Sequence, residues 1–286
     1  MNRRRRRIVW APYLLALPGA VWLTLFFLVP LGGQVASSLS EGSIVEGGLS
    51  FDWHWQNYLD AVTQFGPIFL RSFWYATLGT ALSIALAYPL AYFIVFRGGR
   101  YKTLLLLPVV VPFLVTYLVR TIAWQALLSD TGIVLGSLKQ AGLLAQSAYL
   151  LGTPAAVVFA LAYNFLPFSV LPIYVSLDRI DPALLRAAAD LYASPMVAFR
   201  KVVLPLSLPG VFAGSLLCFI PAAGDFVNAM MLGSPQRQMI GNVIQSRYLV
   251  TLDYPLAAAA SLALMALLLA FVAVYGRLFG TEGLTG

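Results

Sequence analysis

Asp225 stands in the stretch Pro221–Ala229, "PAAGDFVNA", with apolar residues on both sides. An ionisable group in such surroundings is costly to place and usually has a task. A carboxylate there can guide a cationic amine, or it can mark a hydrated helix end. Tyr163 and Asn164, in "LAYNFLP" (161–167), bring a hydroxyl and an amide into another apolar run. They can line a path for a polar solute, and Asn164 can instead link two helices by a hydrogen bond. Arg120, in "LVRTIAW" (118–124), can extend its aliphatic stem to the membrane surface, or pair with Asp225 or Asp130. None of these makes a catalytic set. One histidine, His54, excludes a multi-histidine metal or relay site and reads as a surface residue. One cysteine, Cys218, excludes an internal disulfide and a cysteine metal cluster, and reads as packing. No Gly-Lys-Ser/Thr phosphate loop is present, since "RGGRYKT" (97–103) lacks the Gly-Lys step. No catalytic residue, metal or bound cofactor is therefore expected.

A different kind of interest attaches to "DPALLRAAADLYASPMVAFRKVVLPLSLPG" (181–210), a charged stretch in an oily chain. Asp181-Pro182 and Ser194-Pro195 are both helix starts, with a capping oxygen followed by a residue suited to the first turn. The spacing predicts one helix from Pro182 to Leu191 and a second from Pro195 to about Val203, ended by Pro205. Leu184, Leu185, Ala188, Leu191 and Tyr192 recur at helical spacing. Ala187, Ala188 and Ala189 give a smooth rod that can sink into a groove on another protein, or rest on the membrane as a connector.

The elements that must position these residues are transmembrane. Hydrophobic residues make up 60% of the 286 and charged residues 10%, against about a quarter charged in soluble domains. A spanning helix needs about 20 mostly apolar residues. Six segments meet this, near 10–31, 68–96, 103–127, 154–177, 206–227 and 256–278, with 178–205 as the loop between the fourth and fifth. The run from Ile8 to Leu31 exceeds the core of about 7–15 residues in a signal peptide, so it reads as a retained first span. Thirteen of the 18 Lys and Arg fall on one side: Arg3 to Arg7, Arg97, Arg100, Lys102, Arg179, Arg186, Arg200, Lys201 and Arg277. That side is cytoplasmic by the positive-inside rule, and both termini lie there. Glu41, Glu46, Asp52, Asp60, Asp130 and Asp253 fall in or beside outer segments. The net charge of +7 is thus a topology signal, and nucleic acid is not an expected partner. The outer stretch "FDWHWQNYLDAVTQFGP" (51–67) carries Trp53, Trp55 and Tyr58. It reads as a short interfacial helix or as a docking surface for an outer partner. The expected fold is an all-α integral membrane protein of six helices, one domain over 1–286.

The 181–210 segment resembles the EAA loop of ATP-binding cassette (ABC) importer permeases of type I. Ala187, Ala188, Asp190, Ala193, Ser194, Phe199, Leu204, Pro205 and Pro209 fall at matching positions. The family's acidic residue is Arg186 here and its glycine is Tyr192. Either the turn moves to Ala193-Ser194, or the ring of Tyr192 fills part of the docking groove. The stretches 120–138, 163–185 and 239–259 are similar to the permease subunits of spermidine/putrescine importers. The resemblance implies a bacterial inner-membrane subunit that forms half of a pathway for a small solute. It implies two ATPase subunits that hold the ATP and Mg, a second permease of different sequence, and an extracytoplasmic solute-binding protein. The loop 178–205 becomes the coupling element, with Arg186, Tyr192 and the matching positions as its contacts. Asp225, Asn164 and Tyr163 become candidates for the pathway. A polyamine is the first solute implied, and an opine, an aminophosphonate or ferric iron are alternatives. A self-contained channel or secondary transporter competes with this reading, as does a membrane enzyme. Against the former stand the inner loop with its two proline-started helices and the lack, in this sequence, of the intramembrane charge pairs expected of an ion-coupled carrier.

Overall fold

The structure, a computed structural model, describes residues 11–43 and 48–279. The arginines Arg3 to Arg7 and Glu46, used above for orientation, lie outside the described residues. Among the described residues, five helices are long and apolar enough to cross a membrane: Leu14–Ser38, Gln56–Arg97, Pro154–Asp178, Pro195–Ala223 and Tyr254–Arg277.

The described residues form two compact units. One runs up to Thr63 and includes Arg247–Ala263; the other is Gln64–Ser246 together with the stretch from Leu264 onward. In the first unit, α1 (Ala11–Leu23) passes through a π turn (Thr24–Leu28) into α2 (Val29–Ser38). A hairpin follows, β1 (Ser40–Ser43) antiparallel to β2 (Gly48–Phe51), with Glu41 opposite Ser50. The other elements are helical, as the all-α expectation has it, and this short hairpin is the one addition among the described residues. Gly42 permits the hairpin: its φ is +101°, and a Cβ there would lie 2.6 Å from the carbonyl oxygen of Gly48. Asn57 clamps the hairpin's root by donating from Nδ2 to the carbonyls of Ser38 and Ser40, at 3.0 and 2.9 Å.

Helix α3 (Gln56–Arg97) has 42 residues, about 63 Å of helix at 1.5 Å per residue, twice the hydrocarbon thickness of about 30 Å. The expected separate helix at the interface is therefore the front of α3. Trp53 and Trp55 precede it and are exposed.

In the second unit the expected third span, 103–127, is not one helix. After a 3₁₀ turn (Gly99–Tyr101), α4 (Lys102–Val110) tightens into a second one (Val111–Leu114); α5 (Tyr117–Leu128) and α6 (Ile133–Gln140) follow. The two halves, Gly99–Leu114 and Tyr117–Gln140, meet at 93°. The cause is local: Pro112 cannot donate to the ladder, and Val115 and Thr116 are extended, with ψ 138° and 145°.

Helix α7 (Pro154–Asp178) starts where the side chain of Thr153 accepts from the amide of Ala156, with Pro154 in the first turn. It packs along α10 (Leu204–Ala223). Gly210 and Gly214, four residues apart on α10, allow the backbones to touch. A Cβ on Gly210 would lie 2.5 Å from the carbonyl oxygen of Pro172, and one on Gly214 would lie 3.1 Å from Cα of Ser169. Between them, α8 (Pro182–Asp190) and α9 (Pro195–Ala198) start as expected, with Asp181 accepting from Ala183 and Ser194 from Val197. Pro205, however, does not end a helix. A π turn over Phe199–Val203 joins α9 to α10, and the amide of Leu204 reaches back to the carbonyl of Phe199. That widened turn removes the clash a proline makes with the carbonyl four residues before it. Past α10 the chain breaks at Gly224-Asp225, so the fifth span ends at Ala223, before the expected 227. The short α11 (Val227–Leu232) follows, then α12 (Ile240–Leu249) and the last long helix, α13 (Tyr254–Phe279).

Candidate functional site

Asp225 lies in the break between α10 and α11, and it is buried rather than hydrated. Its Oδ1 accepts from the backbone amide of Asn228 at 2.8 Å. Its Oδ2 accepts from the hydroxyl of Tyr117, at the start of α5. Asn228, fully buried, ties the site together: its Nδ2 donates to Tyr117 Oη at 2.6 Å. Its Oδ1 accepts from Asn164 Nδ2 on α7 and Thr121 Oγ1 on α5, both at 3.1 Å. Asn164 therefore makes the inter-helix hydrogen bond. One carboxylate, two amides and two hydroxyls from α5, α7, the break after α10 and α11 form one continuous network. In a low-dielectric interior such a network rigidifies its elements when its members are satisfied.

Arg120 closes the ring. Its Nη1 donates to the carbonyl of Asn164 at 3.3 Å, and its guanidinium lies over the rings of Phe113 (5.3 Å) and Tyr117 (5.6 Å). At 8% exposed it does not extend to a surface, and it pairs with no carboxylate among the described residues. Asp130 pairs with Lys139 at 3.1 Å instead. With Tyr163, Arg120 lines a cavity of about 270 Å³ whose apolar walls include Phe93, Phe113, Leu166 and Pro167. Trp124 meets Tyr163 edge to face at 5.2 Å.

The floor beneath Asp225 is set by Gly241, where a Cβ would lie 2.5 Å from the carbonyl of Gly224. Nearby, Arg71 of α3 donates to the carbonyls of Gln238 and Gln236 at 2.8 and 2.9 Å, and the amide of Ile240 donates to Ser72. The chain after Asp225 is thereby fastened to α3.

The 181–210 loop is anchored through Leu185, Phe199 and the fully buried Val203. Phe199 stands edge-on to Tyr88 (5.9 Å) and Tyr92 (5.7 Å), and Leu185 packs on the same apolar cluster. Leu184, Leu191, Tyr192, Met196 and Val197 are instead exposed, as are Arg186, Ala187, Asp190 and Ser194. Ala188 and Ala193 are half-buried. The turn stays at Tyr192, which takes φ +57°. The amide of Ala193 reaches the carbonyl of Ala188 at 3.0 Å, a helix end normally built on glycine. The Tyr192 ring is 98% exposed. No ion pair joins Arg186 to Asp190 among the described residues. The end of α7 is tied to the start of α4 by Lys102 and Asp178, at 2.6 Å.

Tyr117, Thr121 and Asn228 did not stand out in the sequence. A signal existed for each. Tyr117, Arg120 and Thr121 are spaced to share one helix face, and Asn228 follows Asp225 at the distance of a capped amide.

Long apolar helices around a buried polar network, with a charged helical loop between two of them, define a polytopic transport permease. Residues 83–279 match the family described as binding-protein-dependent transport system inner membrane component, and the chain belongs to it. It is a multi-pass inner-membrane permease of an ABC importer, a transport component and not an enzyme. It is 33% identical over 262 residues to the spermidine/putrescine transport system permease protein PotB of Haemophilus influenzae, covering 90% of each chain. With the PotB of Escherichia coli K12 the identity is 32% over 259 residues, 90% of this chain and 93% of the relative. The inner membrane ABC transporter permease protein YdcU of the same strain is 36% identical over 222 residues, 72% and 70% of the two chains. Among solved structures, a bacterial alginate ABC transporter in complex with an alginate pentasaccharide-bound periplasmic protein superposes with TM-score 0.75 at 20% identity, covering 95% and 96%. Another, of a bacterial ABC transporter that imports alginate, gives 0.70 at 18% identity, covering 97% and 96%. At these identities the two structures speak to the fold alone.

Proposed function

We propose that this permease forms half of the import pathway for a small amine, a polyamine of the spermidine/putrescine type. The observation that carries the solute is the identity of 33% over 90% of the chain with PotB. In this reading six spans cross the membrane, the bent pair counting as one, and both termini face the cytoplasm. Two ATPase subunits, a second permease of different sequence and an extracytoplasmic binding protein complete the machine, with ATP and Mg held on the ATPases. The exposed face of the loop, from Arg186, Ala187 and Asp190 through Tyr192, Ala193 and Ser194 to Met196, docks on the ATPase. Phe199 and Pro205 hold and redirect the loop from behind.

Asp225 is the carboxylate an amine meets, with Asn164 and Tyr163 beside the path. A carboxylate has about four acceptor sites, and the Tyr117 and Asn228 bonds use two, so it can still receive an ammonium. The test is uptake of labelled putrescine by the reconstituted importer. Asp225→Asn, which keeps shape and removes charge, is expected to lower uptake at least tenfold. Unchanged transport removes Asp225 from the path, and a wild-type complex that imports no amine overturns the solute.

A further inference from the structure

Arg120 is a buried cation that lacks a counter-ion among the described residues. One carbonyl and two ring faces are its contacts, and its Nε has no hydrogen-bond partner. Beside it, Oδ1 of the fully buried Asn164 is also unpartnered. Burying an uncompensated charge is among the most costly arrangements in a protein. Here the charge borders an unfilled space, the cavity of about 270 Å³ with walls of Phe93, Phe113, Leu166, Pro167 and Tyr163. The donor is of a definite kind. A guanidinium offers a planar fork of N–H groups that matches a carboxylate, and it does so best when both are out of water. A free ammonium brought here would meet only like charge. The volume admits on the order of nine water-sized groups, at about 30 Å³ each, which suits a short chain with one acidic end.

We propose that the Arg120 cavity is a subsite for a carboxylate carried on a short, mostly apolar chain. Arg120 receives the acid, and the rings of Phe93, Phe113 and Tyr163 cover the methylenes. This rests on the reading of the chain as a pathway half and departs from the polyamine in the solute it favours. The favoured solute is an amine whose other end is an acid, an ω-amino acid, rather than a molecule with ammonium groups throughout.

The test uses the purified permease–ATPase complex without binding protein, so that selection by the latter does not enter. The probes are 5-aminopentanoate and pentanoate, with pentylamine as the control lacking an acid, and the readout is the thermal unfolding midpoint against probe concentration. Both acids are expected to raise the midpoint saturably and pentylamine to leave it unmoved. Arg120→Gln is expected to raise the half-saturating concentration of 5-aminopentanoate at least tenfold. Since Arg120 also braces Asn164, Leu166→Trp provides a second route: it fills the cavity from the opposite chemistry and is expected to abolish the shift. Absence of a shift with the acids, an equal shift with pentylamine, or persistence of the shift in both variants overturns the proposal. Putrescine uptake by the reconstituted importer separates the two readings. Uptake without an acid effect rejects the subsite and keeps the polyamine reading; an acid effect without putrescine uptake does the reverse.

Discussion

Tyr117 donates its hydroxyl proton to Asp225 from the first residue of α5, just after the chain has turned through 93°. The bend is what brings it there. A straight helix through Val115 and Thr116 would carry Tyr117 onward along the axis of α4. The same hydroxyl accepts from Asn228 at 2.6 Å, so one oxygen links the broken span to the break after α10.

Tyr117→Phe removes that oxygen and leaves a buried acceptor on Asp225 and a buried donor on Asn228 unmet. Each such group costs about 1–3 kcal/mol. The variant is expected to lose about 2 kcal/mol or more in chemical unfolding of the purified permease. A loss below about 0.5 kcal/mol, the range of ordinary surface substitutions, would mean that the three groups do not act together.

Gly210 gives a second prediction. With the carbonyl of Pro172 at 2.5 Å from its missing Cβ, Gly210→Ala must push α7 and α10 apart, and overpacking of this kind costs about 1–3 kcal/mol. Gly276→Ala is the control, since nothing lies within 4 Å of the Cβ it would add. There the helix gains about 0.5–1 kcal/mol from losing a glycine. Opposite signs for the two substitutions in thermal unfolding are the expected result, and equal signs would contradict the close approach.

Tyr192 yields a stabilising change. A left-handed non-glycine residue costs about 1–2 kcal/mol, and the ring, 98% exposed, gives nothing back within the chain. Tyr192→Gly is expected to raise stability by about 1 kcal/mol. Leu191→Gly, one residue earlier at φ −85°, is expected to lower it. Co-purification of the ATPase with Tyr192→Gly reads separately whether the ring touches the partner.

Local chemistry was legible in the sequence, and spatial convergence was not. Asp181-Pro182 and Ser194-Pro195 announced two helix starts because a capping oxygen and a proline act within one turn. The burial of Arg120 followed from no local rule. Hydropathy measures how oily 103–127 is, and a bend changes that average by nothing. The contacts of Asp225 span 108 residues to Tyr117, and Asn164 and Asn228 are 64 apart. Only the packing of α7 against α10 and the turn at Val115-Thr116 bring these residues within reach. The hairpin at Ser40–Phe51 was hidden for another reason: its strands are four residues each and β2 is exposed along its length, so no alternation of apolar and polar residues marks them.

The π turn at Phe199–Val203 holds one residue more than an α-helical turn needs. Adding one residue to a helix rotates everything on its far side by about 100°. The surplus residue therefore acts as a fixed angular offset, setting the compass bearing of α8 and α9 relative to α10. Shorten the turn by one residue and Phe199 leaves the slot between Tyr88 and Tyr92, while Leu184 and Met196 face another quarter. Residue count, as much as residue type, aims this loop.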